Sequence, residues 1–126
     1  MPLTSKLFLA LGGLNAALAV ILGAFGAHAL KARLPAEMLA VYHTGVQYHF
    51  YHALGLVLVG LAAIHWPASA HLKLSGGLML AGIVLFSGSL YGLSVGELRW
   101  LGPVTPFGGI AFIAAWAAFV IAVLKA

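Results

Sequence analysis

The chain has 126 residues, 63% hydrophobic and 6% charged, with a net charge of +4 at neutral pH. That length fits one domain, and a charged fraction far below the roughly 25% of soluble domains means that the surface faces lipid rather than water. Six scattered cations form no run that tracks a nucleic-acid backbone, which excludes nucleic acid as a partner, and the lack of cysteine excludes disulfides, thiolate nucleophiles and iron–sulfur clusters.

In chain order, the first apolar run covers residues 7–27 without an ionisable group. Runs at 44–64, 74–96 and 104–124 follow, the first of them interrupted only by His49 and His52. About 20 apolar residues at a rise of 1.5 Å cross a hydrocarbon core of roughly 30 Å. Four such runs predict an all-α fold, an integral membrane four-helix bundle spanning the whole chain as one transmembrane domain, with spans at about 7–29, 44–65, 74–96 and 105–125. None of the runs alternates as a barrel strand would. The first run, with Lys6 before it and Ala27-His28-Ala29 after it, loosely imitates a signal peptide. It is longer than the usual h-region of about 7–15 residues, and is therefore read as a retained span.

Small residues Gly12, Ala16, Ala19, Gly23 and Ala27 recur at helical spacing along the first span. In the connection after it, Pro35 opens a helix and Glu37 stands in its first turn, where the helix dipole favours an acid. An unbroken helix from Pro35 to Ile64 would measure about 45 Å, too long for one perpendicular crossing. The expectation is therefore a short interfacial helix at about 35–43, then a bend at Thr44-Gly45 into the second span. Pro67 closes that span, and Trp66 and Trp100 sit at span ends as interfacial anchors. The third span carries Gly88, Gly92 and Gly96 on one stripe, which reads as a seam between two copies of the chain or as packing inside one bundle. In GPVTPFGG, at 102–109, Thr105 is placed to cap the fourth helix and Pro106 to stand at its first position. Lys6, Lys73 and Lys125 fall on one side of the bilayer, and Lys31, Arg33 and Arg99 on the other, so the positive-inside rule gives no orientation.

The stretch YHTGVQYHFYHALG, at 42–55, raises the question of function. On a continuous helix Gly45, His49, His52, Leu56, Gly60 and Ala63 share one stripe, while Gln47 faces the opposite way. Polar groups inside a membrane need partners, so both histidines are expected in the bundle interior. Three roles are open to them. They can bond neighbouring helices through Ser87, Ser89, Tyr91 or Asn15; they can handle protons or a small ligand; or they can hold a metal or haem, with His28 approaching from the first helix. No carboxylate lies in any span, and the spacing matches no specific metal motif. No catalytic constellation emerges: Glu37 and Glu97 are the only acids, and both lie in connections.

GAFGAHAL (23–30), VQYHFYHALGL (46–56), FSGSLYGL (86–93) and GPVTPFGG, taken in order, resemble the YgdD/YwdK-like family of small bacterial membrane proteins, a domain of unknown function. The resemblance implies a four-helix, multi-pass protein of the bacterial inner or plasma membrane, and no established activity, substrate or cofactor. Its pattern matches His28, Gln47, His52, Ser87, Ser89, Tyr91, Pro103, Thr105 and Pro106. Where the pattern has glutamine this chain has His43 and His49, which shifts the expectation toward His28 and His52 as the polar pair that matters. The reading is thus a non-enzymatic bundle for a small ligand, lipid head group or proton, with a polar cluster of His28, Gln47, His49, His52 and Tyr91 near one interface. The alternatives are a haem- or metal-binding redox protein and a structural subunit of a larger membrane assembly.

Overall fold

The computed structural model describes all of residues 1–126. It contains no strand, and four helical rods are long and apolar enough to cross a membrane: Leu3–Leu30, Ala36–His65, Ala70–Ser94 and Arg99–Lys125. Within them we label α1 (Leu3–Phe25), α2 (Ala36–His65), α3 (Ala70–Gly82), α4 (Ser89–Ser94) and α5 (Thr105–Lys125). A π-helical turn, Gly26–Leu30, extends α1, and another, Ile83–Gly88, joins α3 to α4 in one rod. A 3₁₀ segment, Arg99–Val104, leads into α5.

Local chemistry sets the rod ends. Pro35 is extended (ψ 151°) and cannot continue the preceding turn, so α2 starts directly after it. The Ser69 hydroxyl accepts from the Leu72 N–H at 3.2 Å and caps α3. Thr105 does not act as the cap expected of it. Its hydroxyl lies 2.6 Å from the Ser89 hydroxyl on α4, and Val104 holds the cap position without a side-chain bond. Pro106 does stand in the first turn of α5.

The bend expected at Thr44-Gly45 is absent. Residues 36–43 belong to one unbroken helix with the second span, and no separate interfacial helix exists. The Thr44 hydroxyl donates back to Ala40 O at 3.1 Å, which is compatible with helix. Gly45 serves a close contact rather than a hinge: a Cβ there would lie 3.0 Å from the Tyr91 ring, and the Ser87 hydroxyl donates to Gly45 O at 2.7 Å. His49 and His52 therefore lie about 20 and 24 Å along a rod of about 45 Å, near its middle instead of near one end.

The rods are antiparallel in sequence order. α1 lies along α2 and meets the rest mainly through Phe8, whose ring occupies the space over Gly76. The α3–α4 rod packs on the other side of α2, and α5 packs on α3. Leu56, Val59, Ala63, Leu72, Met79, Ile83, Phe112, Ala115 and Ala122 form the core between α2, α3 and α5. Since lipid is as apolar as these side chains, close packing and interhelical bonds hold the rods together, not apolar burial. A Cβ on Gly12 would stand 2.9 Å from Ala53 O and Val57 N of α2, and one on Gly60 2.9 Å from Leu9 N of α1. The tightest approach is Gly108 against the backbone of Leu85 and Phe86, inside the second π turn.

The other glycines and alanines divide. Gly23 meets Val46 of α2 and Ala16 is half-buried, both on the α1 face that carries Gly12. Gly88 and Gly96 are exposed, and half-buried Gly92 faces the Leu101 side chain of the 3₁₀ segment. The third-span stripe thus meets the neighbouring rod only at its 3₁₀ start, through Leu101.

Candidate functional site

The stripe Gly45, His49, His52, Leu56, Gly60, Ala63 is buried along α2, and Gln47 is exposed on the far side. His49 is 1% exposed and His52 5%. The two rings have separate partners.

His49 links three helices. Its Nδ1 lies 2.9 Å from the Tyr91 hydroxyl of α4, and its Nε2 lies 2.9 Å from Asn15 Oδ1 of α1. The Asn15 amide nitrogen donates to Leu11 O at 2.9 Å, which turns its carbonyl oxygen toward the histidine. An amide oxygen only accepts, so the neutral His49 ring carries its proton on Nε2 and accepts from Tyr91 at Nδ1. Tyr91 reaches this depth because helical side chains lean toward the N-terminal end of their helix, here toward the middle of the rod. Its ring packs against Tyr42, 5.5 Å between centroids, and the Tyr42 hydroxyl donates to Leu22 O of α1.

His52 is bound the other way round. Its Nδ1 lies 2.7 Å from Tyr48 O, one turn back on α2, and Trp116 Nε1 of α5 donates to its Nε2 at 3.1 Å. A carbonyl only accepts and an indole N–H only donates, so the proton sits on Nδ1. Phe112 stacks on the ring at 3.5 Å with planes 9° apart. Two histidines one turn apart are thus held as opposite tautomers.

The remaining site residues named from sequence do not join them. His28 is exposed in the first π turn and meets neither His49 nor His52, so the pair His28 and His52 is not assembled. Gln47 bonds the Tyr51 hydroxyl on the outer face of α2. There both line a groove of about 470 Å³ with Ala19, Val20, Gly23, Ala24, Val46 and Phe50. His43 is exposed beside Tyr42. No three of the His and Glu side chains converge as a metal-holding group.

Sequence reasoning missed two features. Trp116 lies well inside α5, where an aromatic anchor does not belong, and that misplacement was the available signal. The second is a cleft of about 630 Å³ at the opposite end of the bundle from the chain termini, lined by Arg33, Leu34, Pro35, Glu37, Met38, Leu93, Ser94, Glu97 and Arg99. It gathers both acids and both arginines of the chain. The hint was that each acid stands close to an arginine in sequence, Arg33 with Glu37 and Glu97 with Arg99.

A family model described as "Protein of unknown function (DUF423)" matches residues 22–109. The chain belongs to the DUF423 family. Over 120 residues it is 54% identical to the UPF0382 membrane protein YwdK of Bacillus subtilis, covering 95% of this chain and 98% of that one. It is 45% identical to the UPF0382 membrane protein SERP0230 of Staphylococcus epidermidis (95% and 97% covered). It is 44% identical to SSP2132 of Staphylococcus saprophyticus (95% and 98%). No solved structure matches the chain. These relatives and the four apolar rods make this DUF423 chain a multi-pass bacterial membrane protein, with lipid as its surroundings.

Proposed function

We propose that the protein is a non-enzymatic helix bundle that takes up and releases a proton in its interior, at His49. One observation carries this reading: the partners of His49 tolerate both charge states of the ring. The Asn15 oxygen accepts from Nε2 in either state. The Tyr91 hydroxyl donates to a neutral ring and, after rotation, accepts from a protonated one. A second proton on His52, by contrast, would point its N–H at the N–H of Trp116. Tyr42, the other titratable group beside Tyr91, has its hydroxyl committed to Leu22 O. Ionisable side chains facing a bundle interior are functional by default, and imidazole is the group suited to neutral pH. The haem or metal alternative requires a ring nitrogen to leave its protein partner. Nitrogen-15 NMR of ring-labelled protein in liposomes, acidified stepwise, tests the proposal. The His49 signals change to the imidazolium pattern while His52 keeps its Nδ1–H pattern; the reverse order overturns the reading.

The outer face of α2 favours a second reading, a subunit of a membrane assembly. Gln47 and Tyr51 present an amide and a phenol at mid-rod on an exposed surface, beside the small residues Ala19, Gly23 and Ala24. Polar side chains flanked by small ones are the usual adhesive between membrane helices. Energy transfer between labelled copies in liposomes tests it: Gln47→Leu lowers the signal if this face associates, and leaves it unchanged otherwise.

A further inference from the structure

We infer that the cleft of Arg33, Glu37, Glu97 and Arg99 is a binding site for a phosphate–ammonium zwitterion, the chemistry of a phosphoethanolamine head group. The inference is independent of the proton proposal. Four observations converge on it. First, the cleft is lined by two arginines and two glutamates, all solvent-accessible, so its formal charge is zero, and no ion pair within 4.0 Å neutralises them internally. A net anion would meet the two carboxylates and a net cation the two arginines; a ligand carrying both signs satisfies all four groups. Guanidinium suits phosphate through paired N–H donors, and carboxylate suits a primary ammonium with three N–H donors.

Second, α2 starts at the cleft. The first amide bonded in its turn is Leu39, to Pro35 O, and Pro35 supplies no side-chain cap. The N–H groups of Ala36, Glu37 and Met38 are thus without helical partners beside Arg33, which is the arrangement that attracts a phosphate. Third, Glu97 is the only non-glycine residue with positive φ, 54°, although glycine stands next to it at position 96. Such a backbone is costly for any residue but glycine, and strain of this kind collects at binding sites. Fourth, the cleft has an apolar border: Leu34, Met38 and Leu93 line it, and Leu98 and Trp100 are exposed on the segments around it. Apolar residues beside a charged cleft at a rod end suit a head group whose acyl chains continue along the helices.

The test is native mass spectrometry of the protein released from nanodiscs with equal parts phosphatidylethanolamine, phosphatidylcholine and phosphatidylglycerol. Retention of phosphatidylethanolamine at about tenfold over the other two is expected, a difference of about 1.4 kcal/mol. Choline tests the ammonium half, because its methylated nitrogen has no N–H; glycerol tests the need for a cation at all. Arg33→Gln with Arg99→Gln, and separately Glu37→Gln with Glu97→Gln, abolish the preference, while Lys6→Gln with Lys73→Gln at the opposite end leave it intact. Free phosphoethanolamine added in detergent separates the sources. Competition with the retained lipid assigns the site to a membrane head group. Saturable binding without lipid enrichment, lost in both cleft variants, assigns it to the soluble zwitterion. Equal retention of the three lipids without binding of the free compound, or a preference that survives both cleft variants, overturns the inference.

Discussion

Trp116 of α5 donates its indole N–H to His52 Nε2 of α2 at 3.1 Å, and that bond decides which nitrogen of His52 bears the proton. One turn back on the same helix face, the opposite choice is made for His49 by the Asn15 oxygen. The arrangement assigns one imidazole to a fixed clasp and the other to a partner that can change its role.

Trp116→Phe keeps most of the ring's volume and removes the donor, leaving a buried acceptor unpaired. A loss of about 1–2 kcal/mol is expected in unfolding from detergent micelles. In a double-mutant cycle with His52→Phe the coupling is about 1 kcal/mol, within the range of interhelical bonds in membranes. Additive losses would remove the bond from the account.

At neutral pH the ring-nitrogen resonances of the two histidines are expected to be opposite, protonated Nε2 for His49 and protonated Nδ1 for His52. Tyr91→Phe shifts the His49 Nδ1 resonance and leaves His52 unchanged. Gly45→Ala is expected to do the same by displacing the Tyr91 ring, which lies 3.0 Å from the added carbon. Spectra with both rings in one tautomer would contradict the hydrogen-bond assignment.

Glycine substitutions separate tight contacts from open ones. Gly108→Ala drives a methyl into the backbone of Leu85 and Phe86, and a loss of about 1–3 kcal/mol or more is expected from overpacking. At Gly77 nothing stands within 4 Å of the added carbon, and alanine there gains up to about 1 kcal/mol from helix propensity. Equal effects in thermal melts would mean that α5 and the second π turn are less closely packed than described.

Glu97→Gly relieves the positive φ, and a gain of about 1 kcal/mol in stability is expected together with a weaker preference for phosphatidylethanolamine. Melting curves and lipid retention on the same sample check both halves. A stability gain without loss of retention would assign Glu97 a purely conformational place in the loop.

The four rods were legible because ionisable residues gather at the rod ends and in the connections, leaving only His49 and His52 well inside a span, and the buried face of α2 because small residues and histidines repeat at helical spacing. The expected bend is absent because bilayer thickness limits the hydrocarbon path, not the helix; α2 simply runs on through 36–43. That error carried the depth of His49 and His52 with it. Partner choice was legible only in part. Tyr91 and Asn15 were among few polar candidates, but Trp116 was hidden by its apolar neighbours, and the charged cleft depends on two connections far apart in sequence. His28 matched a family pattern, and a pattern match says nothing about which neighbour a side chain meets.

The lopsided attachment of α1 has a consequence for biogenesis. Since that helix leans on α2 and touches the others mainly through Phe8, all nine core residues come from the three later rods. It is therefore a docked strut: expressed as a separate peptide alongside residues 31–126, it should find its slot through the Gly12 notch and the Asn15 amide, making the molecule a natural two-fragment complementation system.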